Sequence, residues 1–219
     1  MPLTLRLGAL AALAIAFVAL TFAVAAGSLN LFDQQVLHAM AGLWNPSLQP
    51  LFQAIAELGG LELTSILVVV LSLFLLRRGS PADAWVLVAF AATQILETLY
   101  KAVLYHPGPP ESVSHADGPS ITALFGSSSS GNSFPSGHIM RALVVYGLIA
   151  FVVRRLAPWP AARALAIPTL LVLIIVEAFD RVYLAVHWES DVIGGVLLGA
   201  IALLSATIWL DRPRVPTQK

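Results

Sequence analysis

The chain has no cysteine, which excludes disulfides, thiolate metal sites and cysteine nucleophiles. It is also short of charge. Only 11% of its 219 residues are Asp, Glu, Lys or Arg, where a soluble domain carries about 25%. Twelve cations and twelve anions cancel to a formal net charge of zero, so the balance gives no sign of a nucleic-acid partner. Apolar residues fill the space that charge leaves. They make up 58% of the sequence, and the mean hydropathy is +0.84. Such values describe an integral membrane protein, read as a single helical domain over 1–219.

Six long helices are expected, at 3–26, 61–76, 82–105, 136–156, 163–183 and 187–210. They predict an all-α, polytopic bundle of six transmembrane helices. The uncharged run 7–26 is too long for the core of a signal peptide, although Ala23-Val24-Ala25 resembles a cleavage site. It is read as a retained first span. The third, fourth and fifth helices carry charges inside their apolar pattern, so they need neighbours that shield those groups.

Cation placement predicts an orientation. Nine of the twelve fall on one side: Arg6, Arg77, Arg78, Arg154, Arg155, Arg163, Arg212, Arg214 and Lys219. The positive-inside rule makes that side cytoplasmic, with both termini there. Lys101, Arg141 and Arg181 remain, near the outer ends of their helices. The segment 27–60 then lies outside. Its Leu31, Phe32, Val36, Leu37, Met40 and Leu43 recur at helical spacing and predict a short interfacial helix. That helix could simply pack over the bundle mouth or could serve lipid access. A long outer loop spans 106–133, where Pro107, Pro109 and Pro110 forbid helix and 126–131 is Gly- and Ser-rich. It is read as a lid beside the site, with a plain connector as the alternative.

Charge inside a hydrophobic span costs about 2.5–3.5 kcal/mol per residue on insertion scales, so it marks function. The stretch Phe134-Pro135-Ser136-Gly137-His138 opens the fourth helix. Ser136 can cap it, and the unbonded amides of a helix start form an anion site. In the stretch Asp180 to Asp191, His187 and Asp191 are four apart. On one helical face the carboxylate can hold the second ring nitrogen, and a histidine so oriented can act as nucleophile or base. Arg181 adds a bidentate fork for phosphate oxygens. The alternative for this segment is a salt bridge that caps the helix at the interface. Glu97 and Lys101 are four apart, as are Glu177 and Arg181. Both acids are read as supports that neutralise and aim the cations. His38 and His115 are expected to be solvated, while His106 could contact phosphate or sit at the lid hinge.

Taken together, these motifs resemble the type 2 phosphatidic acid phosphatase (PAP2) superfamily of membrane lipid phosphate phosphatases. That family's motifs are a Lys followed seven and eight residues later by Arg-Pro, then Pro-Ser-Gly-His, then Ser-Arg with His six residues on and Asp four beyond. The second motif is complete here. The third is present in Arg181, His187 and Asp191, with Asp180 where the family has Ser. The first departs: Lys101 and Pro109 match, but Gly108 stands where the family has Arg, and His106-Pro107 precedes it. Arg141, three residues after His138, could replace that lost phosphate ligand, or could form a buried ion pair with Glu97 or Glu177.

The resemblance implies a phosphatase in which His187 attacks phosphorus, Asp191 orients it and His138 protonates the leaving oxygen. Lys101, Ser136, Gly137 and Arg181 would bind the phosphate, with no metal and no cofactor. The implied partner is a lipid phosphate or diphosphate in the bilayer, of the undecaprenyl diphosphate, phosphatidylglycerophosphate or phosphatidic acid kind. A bacterial inner membrane with an outward-facing site fits that chemistry. Rival readings are a lipid-to-lipid phosphotransferase, a weakened lipid-phosphate-binding homologue, and a transporter. Clustering of the charges at one membrane face rather than the midplane speaks against the last.

Overall fold

The structure is a computed structural model describing residues 2–78, 83, 86–115 and 131–212. Among them the regular elements are helical: α1 (Leu3–Ala25), α2 (Asn30–Leu43), a 3-10 turn (Pro46–Leu48), α3 (Gln49–Ala56), α4 (Leu61–Arg77), α5 (Val86–Val103), α6 (Gly137–Leu156), α7 (Pro160–Tyr183) and α8 (Glu189–Leu210). Helices cover all six expected stretches, but the count of six spans is not met: α6, at the fourth, carries Arg141, Arg154 and Arg155 and is not apolar enough to be counted. Five runs are long and apolar enough to cross a membrane: Leu3–Ala25, Pro46–Arg77, Val86–Val103, Pro160–Tyr183 and Glu189–Leu210.

The starts of α7 and α8 differ from expectation for local reasons. α7 begins at Pro160, because proline's fixed φ and missing N–H suit the first helical position. α8 begins at Glu189 rather than 187, because Asp191 reaches back to the Trp188 N–H at 2.9 Å and so sets the cap there.

α6 is the axis of the bundle. It packs along α7 and α8 and touches α4 and α5, while α1 lies against α8. Ile139, Met140, Val144, Val145 and Leu148 of α6 are completely enclosed. Close approach of α8 to the start of α6 depends on Gly195, where a Cβ would overlap the Ser136 carbonyl oxygen. Small residues of this kind are what lets helices pack in lipid, where no hydrophobic force drives them together. The outer surface is apolar: Ile15, Phe22 and Ile175 are 70%, 71% and 67% exposed. That surface suits acyl chains, not water.

The expected interfacial helix is α2, which lies across α7 and α8, with α3 packed on α7. Its inward side carries Val36 and Met40, packed against Ile139, Val182 and Val192, and Asp33, which is buried. Leu31, Phe32 and Leu43 face outward.

The two ends of the bundle differ in their charge. One end ties helix termini together on the surface: Arg6 to Asp211 at 2.6 Å, and Arg155 to the Leu210 carbonyl at 2.8 Å. Arg77, Arg78 and Arg163 belong to helix ends on that side. The other end holds the last turns of α5 and α7 and the first turns of α6 and α8, and there the charges are buried.

Candidate active site

Phe134 is fully buried, with ring centroids 6.0 Å from Phe17 and 6.1 Å from Tyr100. This apolar plug fixes the chain just before α6. The Ser136 amide then donates to the Asp191 carbonyl at 3.0 Å, joining the first turns of α6 and α8. Ser136 occupies the N-cap position, but its side chain makes no capping bond. The expected cap is therefore not formed. Its hydroxyl is buried without a hydrogen-bond partner among the described residues. A buried hydroxyl at a helix start, beside first-turn amides that have no carbonyl to meet, suits an anionic ligand.

His187 sits in the turn between α7 and α8. The turn closes through donation from the Val186 and His187 amides to the Arg181 carbonyl at 3.2 and 3.3 Å, and Ala185 adopts φ +51°. A left-handed alanine costs about 1–2 kcal/mol, a strain of the kind that active sites retain. His187 Nδ1 lies 3.3 Å from Asp191 Oδ2. The two residues are thus paired as expected, although His187 precedes the helix. Asp191 is fully buried. Its anion is favoured by the Trp188 amide and by the positive end of α8. Burial holds the His187 imidazole below its ordinary pKa, against the opposing pull of Asp191. The ring is therefore neutral at neutral pH.

His106 meets the other side of the same carboxylate, with Nε2 3.3 Å from Asp191 Oδ1. It is held there by its backbone. The His106 amide donates to Asn132 Oδ1 at 3.0 Å, and the Ser133 amide donates to the His106 carbonyl at 2.8 Å. Asn132 Nδ2 in turn donates to the Lys101 carbonyl at 2.8 Å, and the Trp188 indole donates to the Pro107 carbonyl at 2.8 Å. The two feet of the expected lid are therefore pinned together over Asp191. The rest of that loop, 116–130, lies outside the described residues.

The cations have close partners. Lys101 Nζ donates to Glu97 Oε1 at 2.8 Å, the i, i+4 pair expected from sequence. Arg181 is fully buried, and its Nε donates to Asp180 Oδ2 at 2.8 Å. Asp180 therefore serves as its counterion. Arg141 Nη1 pairs with Glu97 Oε2 at 2.8 Å and reaches Gln94 Oε1 at 3.3 Å, while Nε donates to the Gly59 carbonyl at 3.0 Å. Of the alternatives left open for Arg141, the ion pair with Glu97 is formed. Its Nη2 also lies 3.4 Å from His138 Nδ1. Glu97 is pressed against Gly137, where a Cβ would overlap its carboxylate. His138 is within electrostatic reach of His187, Lys101 and Arg181, which brings all the motif residues to one place.

Two sets of contacts and one cavity were not anticipated from sequence. Asp33 of α2 accepts from the Ser190 amide at 2.9 Å and the Ser190 hydroxyl at 2.7 Å, next to Asp191. Burial raises its pKa despite those bonds. His115 is not simply solvated. Its ring stacks on Trp44 at 3.4 Å, and its amide donates to the Leu184 carbonyl at 2.8 Å. A cavity of about 360 Å³ borders the His106 side, lined by Asn30, Asp33, Gln34, Tyr105, Pro107 and Trp188 among others. His38 is exposed.

This donor set of Lys101, Arg181, a buried hydroxyl and helix-start amides matches a phosphate better than a metal ion, because almost every group donates. Comparison with known proteins agrees with the family motifs. The sequence model of the PAP2 superfamily matches residues 82–214. Phosphatidylglycerophosphatase B of Bacillus subtilis (strain 168) is 37% identical over 70 residues, 32% of this chain and 34% of that protein. The putative undecaprenyl-diphosphatase YbjG of Escherichia coli (strain K12) is 56% identical over 39 residues, 18% of this chain and 20% of that protein. The chain thus spans about a third or less of the curated relatives it matches. The fold is similar to the crystal structure of a transmembrane PAP2 type phosphatidylglycerolphosphate phosphatase from Bacillus subtilis. The TM-score is 0.79 over 92% of this chain and 96% of that one, at 22% identity.

Proposed function

We propose that this chain, which belongs to the PAP2 superfamily, hydrolyses a lipid phosphate or diphosphate at the bundle end that holds His138 and His187. The carrying observation is the His187–Asp191 pair at 3.3 Å beside the unpartnered, buried Ser136 hydroxyl.

Asp191 is an acceptor, so the Nδ1 of His187 holds the ring proton and Nε2 keeps its lone pair. That nitrogen attacks phosphorus. A P–N bond forms as the bond to the leaving oxygen breaks. His138 gives a proton to that oxygen, and the lipid alcohol or lipid monophosphate departs. Lys101, Arg181, the Ser136 hydroxyl and the Gly137 amide hold the equatorial oxygens, whose charge is what phosphoryl transfer must stabilise. Water, deprotonated by His138, then attacks the phosphohistidine and releases inorganic phosphate. The positive charge comes from side chains, so turnover is expected to persist in chelator.

The substrate class follows from where the site lies. It is at a bundle end flanked by exposed apolar helices, so a headgroup can reach it while the tails stay in the bilayer. The arginine-rich opposite end supports a cytoplasmic placement for both termini and an outward-facing site in a bacterial inner membrane. The relatives' names point to phosphatidylglycerophosphate or undecaprenyl diphosphate as the first lipids to try.

The test is phosphate release by detergent-solubilised protein in EDTA, on undecaprenyl diphosphate, phosphatidylglycerophosphate and phosphatidic acid, beside His187→Ala. Release from one or more lipids that the variant abolishes is expected. Release that survives in the variant, or that requires added magnesium, would overturn the mechanism.

A further inference from the structure

α6 packs along both α7 and α8, but those two helices make little contact with each other. They are joined at the site end by the turn 184–188. In the opposite half of the bundle they leave a cleft of about 820 Å³ between them, within the about 300–1,000 Å³ that small-molecule pockets span. Its floor is Gly147 and Phe151 of α6. Ile167 and Leu170 of α7 form one wall, and Leu203 and Leu204 of α8 the other. Gly147 makes room there for the Leu203 side chain, which a Cβ would overlap. Leu165 and Val172, on the same half of α7, are exposed, so the surface around the cleft is one that acyl chains cover.

One end of the cleft is charged. Arg6 of α1, Arg154 and Arg155 of α6, and Asp211 line it. Three cations against one anion leave an excess of two positive charges. Asp211 is committed to Arg6 at 2.6 Å. It stands 4.0 Å from Arg155 Nη1, which donates to the Leu210 carbonyl at 2.8 Å. Arg154 is exposed and makes no ion pair among the described residues.

We propose that this cleft binds one anionic phospholipid of the surrounding bilayer, as a lipid that is held and not hydrolysed. An acyl chain lies between α7 and α8, and the Arg154 and Arg155 guanidiniums hold the phosphate. An apolar slot that ends in uncompensated positive charge fits a molecule built the same way with the opposite sign. A soluble anion has nothing to place in the slot, and a zwitterionic lipid brings its own cation up to the arginines. Basic pockets between membrane helices take anionic headgroups for this reason, and arginine meets phosphate with a bidentate fork. Arg154 lies about 27 Å along α6 from Ser136, so this lipid is separate from the one at His187. Its chain braces α7 against α8, the helices that carry Arg181 and Asp191.

Native mass spectrometry of the purified protein in detergent reads the occupant. The protein is given equal amounts of phosphatidylglycerol and phosphatidylcholine with the same chains. Neither carries a phosphate monoester, so hydrolysis does not enter the readout and the result stands apart from the phosphatase reading. One phosphatidylglycerol is expected to be retained in preference to phosphatidylcholine, with or without orthovanadate. Arg154→Gln combined with Arg155→Gln should lower that retention about 10-fold or more. Arg77→Gln combined with Arg78→Gln removes the same charge at the same end, outside the cleft, and should leave retention unchanged. Ala200→Phe fills the cleft and keeps both arginines. It should also displace the lipid, with thermal unfolding of the lipid-free variant as the check on its fold. Equal loss in the two arginine pairs would reduce the effect to surface charge and overturn the proposal. Equal retention of the two lipids, or undiminished retention in a folded Ala200→Phe, would overturn it too. Displacement by orthovanadate would place the lipid in the phosphatase site, with the same consequence.

Discussion

Asp33→Ala removes two hydrogen bonds that join α2 to the first turn of α8, at 2.9 Å from the Ser190 amide and 2.7 Å from its hydroxyl. Hydrogen bonds to a charged group contribute about 1.5–3 kcal/mol each. The gross loss is therefore roughly 3–6 kcal/mol, offset in part by the desolvation of a buried carboxylate. The raised pKa of Asp33 is the sign of that offset. A net loss of about 2–4 kcal/mol follows, which in a chain of this size lowers Tm by roughly 5–15 °C. Ser190 adjoins Asp191, so the carboxylate that holds His187 loses its support. A displacement on the order of 1 Å at such a group can cost about 100-fold in rate. Asp33→Asn is the control. Its amide oxygen accepts from the Ser190 amide while its NH₂ donates to the rotated hydroxyl, so both bonds survive and little change is expected. The pH sign is opposite to that of a salt-bridged acid. A folded pKa above the unfolded one means that the contribution is fully present below the unfolded pKa and declines as pH rises through the folded one. Asp33→Asn should lack that decline. Thermal unfolding in detergent, followed by tryptophan fluorescence, and phosphate release measure both effects. An Asp33→Ala protein with Tm within about 2 °C of wild type and unchanged kcat would refute the reasoning.

Burial lowers the His187 pKa from its ordinary 6.5, and in the proposed mechanism protonation destroys the nucleophile as pH falls. The acid limb of kcat/KM should therefore lie below pH 6.5; a limb above it would contradict a neutral, buried His187 as the nucleophile. Gly108→Arg should lower KM for a lipid phosphate about 10-fold or more, the effect of one charge-assisted bond to phosphate. A Cβ at Gly108 meets Ser133 Cβ at 3.6 Å, an ordinary contact, so Tm should not move. An unchanged KM in that folded variant would show that position 108 does not face the phosphate.

Five of the six expected spans were legible because lipid demands long apolar helices, and the motif spacings survived folding because each lies within one turn or one helix end. The interfacial helix was found for a reason only half correct. The six apolar positions that predict it do not share one environment: Leu31, Phe32 and Leu43 are exposed, while Val36 and Met40 turn inward beside Asp33. In water an apolar stripe points to the core. Next to lipid it can point the other way, and the buried side can be the one with the acid. Asp33, Val36 and Met40 do share an i, i+3, i+7 stripe, which is the signal that could have found it. Contacts that close over long separations had no such signal. The His106 contact with Asp191 and the Gly59 carbonyl that holds Arg141 both depend on how loops fold back over the bundle mouth.

The departures from the family motifs become coherent when the buried charges are followed from group to group. Glu97 lies between Lys101 and Arg141, and Asp180 stands beside Arg181. Each cation is matched by an acid within a turn of helix or across one helix contact. Such matching lowers the cost of charge in a low dielectric, and it lets the chain keep three cations near its site while its formal net charge is zero. The same matching weakens the positive field that a phosphate would meet, at the very place where Gly108 already supplies no cation. In the proposed mechanism phosphate binding would then lean on the buried Ser136 hydroxyl and the first amides of α6, which carry no net charge to be cancelled. A site built this way holds its anion by directed hydrogen bonds more than by long-range attraction. Its affinity for the phosphate group should accordingly depend on the geometry of the α6 start, where Phe134, Gly195 and the Asp191 carbonyl fix the backbone.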